Sequence, residues 1–316
     1  MAKWLVTGGC GFIGSHLVDA LLQRGDQVRV LDDLSSGKRE NIPAGVELHI
    51  GDVADAHAVR ECFNGIDGCF HLAAVASVQR CSMEWLETHR TNLQGTICVF
   101  EQARQVRPSA PLPVVYASSA AVYGDNAAIP LAETAATNPL SSYGADKLAC
   151  ELQARVAWHV HGIPNVGLRF FNVYGTRQDP SSPYSGVISI FTDRIVHNRE
   201  VEVFGDGRQT RDFIYVRDVV AHLVAAMGEL KAGARIFNVC TGTETSLLEL
   251  IATIGKILGR QPIMRYGAAR NGDIRVSVGD PSAAMAAYGL WGQASLVEGL
   301  SHLLGASRTK RHVGDL

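Results

Sequence analysis

The sequence predicts an α/β fold: a doubly wound parallel sheet, followed by a smaller mixed α/β lobe. Three observations carry this expectation. Short β-rich runs alternate with helical patterns through the first half of the 316 residues. A glycine-rich turn joins the first strand to the first helix, and after about Tyr174 the alternation gives way to Pro- and Ser-rich loops and shorter elements. Strands separated by helices are joined by right-handed crossovers, which makes the sheet parallel and covers both of its faces. At roughly 100–200 residues per domain, the length suits about two units.

Lys3–Thr7 reads as the first strand and 11–24 as the first helix, with Ile13, Leu17, Ala20 and Leu21 at helical spacing. Gln27–Asp32 is the second strand, followed by a polar loop from Ser35 to Lys38. Strands at 46–50 and 68–72 continue the series around 55–63, and one long helix is expected over 84–106, stopped by Pro108. Residues 112–119 form a buried-type strand, 143–161 a helix closed by Gly162, and 165–171 another strand. Beyond Tyr174, 179–186 is a loop, 187–197 a helix, and 202–204 a short strand before the Gly205-Asp206-Gly207 turn. A strand or turn with a helix follows over 213–227, then a strand at 235–240 and a helix at 246–258. The expected division is a first domain over 1–174, with 213–240 returning to it, a smaller lobe over 175–306, and a polar tail or cloning remnant at 307–316.

Composition excludes several classes. With 47% hydrophobic and 19% charged residues the chain is globular rather than disordered. The 29 Lys+Arg against 31 Asp+Glu leave a net charge of −2. No basic surplus exists to hold a phosphate backbone, so no nucleic-acid partner is expected. No apolar run approaches the roughly 18 residues that span a bilayer, so no membrane association is expected. Met1 leads directly into the Gly8 motif, so a signal peptide is not expected either. Seven scattered cysteines without a CxxC read as reduced thiols of a cytoplasmic protein. His16, His71, His159, His161 and His197 lack metal-ligand spacing, so no metal is expected.

Two motifs carry chemistry. In Thr7-Gly8-Gly9-Cys10-Gly11-Phe12-Ile13-Gly14, Gly8 allows a tight turn, Gly11 lets backbone approach a pyrophosphate, and Gly14 lets helix and strand pack closely. The helix N-terminus then faces the anion. Asp32 closes the second strand about 20 residues on, where a carboxylate accepts hydrogen bonds from an adenosine ribose. No Arg adjoins it to take a 2′-phosphate, which favours NAD over NADP in a Rossmann-type domain. Asp52, after the third strand, is a candidate for the adenine end, or a solvated turn residue. The second motif, Tyr143-Gly144-Ala145-Asp146-Lys147, places Tyr143 and Lys147 on one helix face. A phenol of ordinary pKa about 10 is a poor base at neutral pH, and an adjacent ammonium with an oxidised nicotinamide would favour its phenolate. Ser118-Ser119 at a strand end completes the set.

On these motifs the sequence resembles the extended short-chain dehydrogenase/reductases that act on nucleotide sugars. It is most similar to UDP-hexose 4-epimerases and, within them, to UDP-N-acetylglucosamine 4-epimerases. The resemblance runs to about Leu304. It includes the glycine turn, Asp32, His71-Leu72-Ala73-Ala74, Asn92, Ser118 to Tyr123, Tyr143 to Lys147, Arg169 to Gly175, Arg211-Asp212 and Arg270 to Asp273. It implies bound NAD, a UDP-sugar substrate held by the C-terminal lobe, and a homodimer. It makes Ser119 the serine that hydrogen-bonds the sugar 4-oxygen, Tyr143 the base, and Lys147 the residue that binds the nicotinamide ribose and tunes Tyr143. The glycines with Phe12 and Ile13, then Asp32, Asp52, Val53, Leu72, Ala73, Ala74 and Asn92, would line NAD. Ser77, Asn172, Tyr184, Arg211, Arg270, Asp273 and Ser277 would meet the substrate, the two arginines clamping its diphosphate.

Two departures discriminate within the family. Dehydratases carry an acidic pair after the hydroxyl residue and decarboxylases usually an acid, where this chain has Ala120-Ala121, which transfer no proton. Ser277, four residues after Asp273, stands where a bulky tyrosine would restrict the site to glucose and galactose, so an acetamido group is expected to fit. The run 178–186, with Tyr184, also resembles the N-acetyl-preferring group. The expected activity is C4 epimerisation of UDP-N-acetylhexosamines, with plain hexoses as further candidates. The alternatives are a dehydratase, a decarboxylase, a net reductase that releases its cofactor each turnover, and a non-catalytic NAD sensor.

Overall fold

A computed structural model describes residues 1–179, 186–269 and 273–312. Its strands are β1 (Lys3–Thr7), β2 (Gln27–Asp32), β3 (Glu47–Ile50), β4 (Gly68–His71), β5 (Val114–Ser119), β6 (Asn165–Phe170), β7 (Asn172–Tyr174), β8 (Val201–Phe204), β9 (Thr210–Arg211), β10 (Phe213–Tyr215), β11 (Ala234–Val239), β12 (Thr245–Ser246), β13 (Met264–Gly267) and β14 (Val276–Ser277). The helices are α1 (Phe12–Gln23), α2 (Ala56–Phe63), α3 (Val78–Met83), α4 (Trp85–His89), α5 (Gly95–Gln105), α6 (Ser142–His161), α7 (Val187–Val196), α8 (Val216–Gly228), α9 (Leu247–Leu258), α10 (Ser282–Tyr288) and α11 (Leu296–His312).

Seven strands pair in parallel in the order β11-β6-β5-β4-β1-β2-β3. The order reverses at β1, and a crevice opens outside the carboxyl ends of β1 and β4, where such sheets bind ligands. Leu17, Val18 and Leu21 of α1 pack with Val219 and Leu223 of α8 on one face, and Phe63, Val99, Phe100, Ala154 and Ala157 cover the other. The strands between are therefore buried on both sides, which is why they read as apolar runs. A third core, built on Ile188, Phe191, Leu250, Ile251 and Ile254, belongs to the later elements. Those elements include the pairs β7 with β10 and β8 with β13, and a three-stranded sheet ordered β12-β9-β14. Burying Leu17 or Leu250 contributes about 1.5–3 kcal/mol each.

Two expectations are corrected. The helix expected over 84–106 is broken: Glu84 leaves helical geometry at φ −114°, ψ 51°, and a π-turn at Arg90–Gln94 separates α4 from α5. The wider turn buries Asn92 (1% exposed), which bonds the backbone of Val75. Propensity along 84–106 cannot register one residue set by a distant loop. Ser77 caps the unforeseen α3, accepting the N–H of Arg80 at 3.0 Å. The presumed tail is also partly helical, since α11 runs to His312. Its start is a reciprocal cap in which Ser295 accepts the Glu298 N–H at 3.2 Å and the Glu298 carboxylate accepts the Ser295 N–H at 2.9 Å. Once nucleated, a helix propagates without an apolar stripe.

Candidate active site

The carboxyl ends of β1, β2, β4, β5 and β6 surround one cavity of about 790 Å³. At its floor Gly8 has φ +70°, and a Cβ there would sit 2.7 Å from the Ala73 nitrogen. A Cβ on Gly14 would run into the Gly8 carbonyl oxygen, so only glycine lets α1 start this close to the strand ends. No side chain caps α1 and its first turn holds no acid, which leaves the N-terminal dipole open toward the cavity lined by Gly11, Phe12 and Ile13. This cradle fits a pyrophosphate. Asp32, 6% exposed, lies at the next strand end and accepts the N–H groups of Cys10 and Leu34, each at 2.9 Å. Burial pushes its carboxyl above the ordinary carboxylate range, and the two N–H bonds oppose that. Asp33, Ser35 and Ser36 continue this wall, and the residues present fit a dinucleotide with its ribose at this end.

Asp52 and Val53 also line the cavity, and Asp52 is paired with Arg90 at 2.6 Å while capping the Ala54 N–H at 2.8 Å. Leu72, Ala73 and Ala74 line it too, and a chain of hydrogen bonds fixes their strand end. The Thr96 hydroxyl donates to the Asn92 carbonyl at 2.7 Å, so it accepts from His71 Nε2 at 3.0 Å. His71 Nδ1 is then the acceptor for the Thr7 hydroxyl at 2.8 Å, and Thr7 Oγ1 accepts the N–H groups of Leu72 and Ala73 at 3.2 Å each. Burial, with the charge of Lys147, holds His71 down from 6.5 to about 3, so the ring is neutral. Asn92 is not among the cavity residues. Its side chain accepts the Val75 N–H at 2.8 Å and donates to the Val75 carbonyl at 3.3 Å, so it fixes the loop that carries Val75.

The candidate catalytic residues meet in the same cavity. Tyr143 stands in the first turn of α6, whose cap Ser141 accepts the Gly144 N–H at 3.1 Å. Lys147, one turn on and 4% exposed, holds its ammonium 5.8 Å from the Tyr143 ring centroid and donates to the Ala117 carbonyl at 2.9 Å. Ser119 ends β5 and accepts the Ala121 N–H at 3.2 Å, which leaves its own proton to donate into the cavity. Ala120 and Ala121 form the turn that follows.

Ser77 and Asn172 line this cavity, whereas Arg211, Asp273 and Ser277 do not. Those three gather on the β12-β9-β14 sheet, where Ser277 lies opposite Arg211 in register. Arg211 donates to the carbonyls of Thr210 (2.8 Å) and Ile274 (2.7 Å) and pairs with Asp273 at 2.5 Å. The neighbouring Asp212 is fully buried and accepts the N–H groups of Thr241 (2.8 Å) and Gly242 (2.9 Å), which fastens this sheet to the loop after β11. Tyr184 and Arg270 lie outside the described residues. Sequence reasoning missed Phe170 and Phe171, which line the cavity, and the Arg80–Glu84 pair at 2.7 Å, which lines it from α3 and the residue after it. The pair's i,i+4 spacing was visible, but the helix that carries it was not.

Residues 4–240 match the model of the NAD dependent epimerase/dehydratase family. The UDP-glucose 4-epimerase of Mycolicibacterium smegmatis is 37% identical over 315 residues, covering 98% of this chain and 99% of its own. Among solved structures, the UDP-glucose 4-epimerase of Thermotoga maritima with UDP-glucose matches with a TM-score of 0.92 at 35% identity, over 98% of this chain and 99% of that one. The UDP-N-acetylglucosamine 4-epimerase of Methanobrevibacter ruminantium, in complex with UDP-N-acetylmuramic acid, also matches at 0.92, with 32% identity and the same coverage.

Proposed function

The chain belongs to the NAD dependent epimerase/dehydratase family, with NAD as its cofactor, and on that premise we propose that it interconverts UDP-hexoses at C4 through a 4-keto sugar. The proposed substrates are UDP-N-acetylglucosamine and UDP-N-acetylgalactosamine, with UDP-glucose and UDP-galactose accepted as well. The observation that carries the reading is one cavity holding Tyr143, Lys147, Ser119 and the glycine cradle. No acid follows Ser119 to drive elimination, because Ala120 and Ala121 occupy that turn.

When bound, NAD supplies the acceptor and then the donor of the C4 hydride. Gly8, Gly11, Phe12, Ile13 and Gly14 would hold its pyrophosphate and Asp32 its adenosine ribose, while Lys147 takes the nicotinamide ribose. Tyr143, acting as the phenolate with the Lys147 ammonium one turn away, takes the proton of the 4-hydroxyl and becomes the neutral phenol. Ser119 donates to the sugar 4-oxygen and keeps it in line with Tyr143. The same phenol returns the proton after the hexose has presented its other face. Asn172, Arg211 and Arg270 hold the diphosphate, which competes with Asp273 for the Arg211 guanidinium. The nucleotide is thus anchored while the hexose turns. Names of relatives divide between glucose and N-acetylglucosamine substrates. Ser277, a small residue where a tyrosine would restrict the sugar, supports the N-acetyl preference.

This reading divides the chain as 1–174 with 213–240 for NAD, and 175–306 for the UDP-sugar. A homodimer is proposed, supported by exposed Leu152, Val156 and Val160 at four-residue spacing on α6 and exposed Ile97 on α5, a helix in contact with α6. Seven free cysteines support a cytoplasmic setting. The test is incubation of the pure protein with UDP-GlcNAc, UDP-Glc and UDP-GlcNAcA without added NAD, with C4 epimers resolved by NMR. UDP-GlcNAc giving UDP-GalNAc is the expected result. Loss of water or carbon dioxide instead, or no conversion of any of the three, refutes the reading.

A further inference from the structure

Beneath the catalytic residues lies a buried polar clamp that the mechanism above does not use. Glu151 and Arg169, 5% exposed each, form a two-pronged ion pair, with Arg169 Nε to Glu151 Oε1 at 2.9 Å and Nη2 to Oε2 at 2.7 Å. The Ser118 hydroxyl donates to the same Glu151 Oε1 at 2.5 Å. Arg169 Nη1 donates to the Tyr123 hydroxyl at 2.8 Å and to the Glu133 carbonyl at 3.1 Å, and Tyr123 donates on to Asn238 Oδ1 at 2.7 Å. Ion pairs this deep contribute little net stability, because the desolvation they require offsets the attraction. The placement of the three anchors points to another role.

Each anchor is joined covalently to the cavity wall. Ser118, which itself lines the cavity, precedes Ser119 at the end of β5, and Arg169 faces it in register and precedes Phe170, Phe171 and Asn172. Glu151 follows Lys147 by four residues and Tyr143 by eight, on one face of α6. We propose that Glu151 is a positioning residue for catalysis: through Arg169 and Ser118 it locks α6 against β5 and β6 and so sets the spacing of Tyr143 and Ser119 around the sugar 4-oxygen. Apolar packing would fill the same volume, but it would let helix slide against strand, whereas a forked ion pair with a third hydrogen bond admits one register.

The inference rests on the proposed chemistry, and Glu151→Gln and Ser118→Ala test it. Glu151→Gln keeps the volume and removes the charge. Ser118→Ala keeps the ion pair and removes only the link to β5, so it decides alone if the first variant does not fold. Misplacing reacting groups by about 1 Å costs up to about 100-fold in rate. The expected result is therefore a kcat lowered about 10- to 100-fold for Glu151→Gln and about 5-fold for Ser118→Ala, with KM for the UDP-sugar and affinity for UDP alone within about 2-fold. A structural role alone would lower the melting temperature and leave kcat per folded molecule unchanged. If Ser118→Ala turns over within about 2-fold of the parent while folded, the positioning role is overturned. The reduction of bound NAD on adding UDP-sugar is measured alongside. Epimerases, dehydratases and decarboxylases share that half-reaction, so it judges the clamp even if the net product is not an epimer.

Discussion

Lowering the pH from about 7.5 to about 5 is expected to destabilise this fold through His71 by about 2 kcal/mol. His71 is buried, with a folded-state pKa near 3 against an ordinary 6.5. Its unfolded form gains a proton as pH falls through 6.5, while the folded form stays neutral until about 3. The stability it contributes is therefore complete above 6.5 and is lost progressively toward 3. At pH 5 the medium is about 1.5 pH units below the ordinary imidazole value of 6.5, and at about 1.4 kcal/mol per pH unit this gives the figure above. The assay is urea denaturation of the parent and of His71→Gln at both pH values. Gln lacks the titrating group, and His16 and His222, whose pKa values burial also lowers, are common to both proteins and cancel in the difference. The parent should lose about 2 kcal/mol more than the variant on acidification. Equal losses would mean that His71 is not held as a neutral acceptor for Thr7, and the account of how the Leu72 strand end is fixed would fail.

Replacing Tyr143 by Phe should lower kcat by about 10²–10⁴-fold while UDP binding, read by calorimetry, is unchanged; near-normal turnover would remove it as the base. Gly14→Ala should yield protein without bound NAD, because its methyl meets the Gly8 carbonyl oxygen, and a full NAD content in the purified variant would contradict the cradle. Ser277→Tyr should suppress turnover of UDP-GlcNAc far more than that of UDP-Glc, by about 10-fold or more in the ratio of kcat/KM, since a filled pocket rejects a group through sterics; equal loss on both removes the pocket argument.

Where a residue's partners were local, the sequence was readable. The glycine turn, Asp32 at the end of β2, and Tyr143 with Lys147 one turn apart are short-range patterns, and each lies in the wall of a single cavity. What sequence could not convey depends on contacts across the fold. Nothing in the sequence around Asn92 tells that a π-turn directs its amide to Val75, 17 residues away. That Arg211 and Asp273 pair with each other across 62 residues was likewise invisible in the sequence. Glu151 carries no motif of its own, and its meaning emerges only when β6 brings Arg169 opposite Ser118. Phe170 and Phe171 read as ordinary core residues of a strand, and only the placement of the β6 carboxyl end at the crevice puts them in the cavity wall.

Central to the account is a hydride that leaves C4 and returns to the same carbon inside a closed site. The direct test is turnover of UDP-GlcNAc deuterated at C4, in ordinary water and without added cofactor, with the UDP-GalNAc product read by mass spectrometry and NMR. The account predicts that the deuterium is kept at C4 of the inverted product. Product formed with hydrogen at C4, or label released to the solvent, would contradict it.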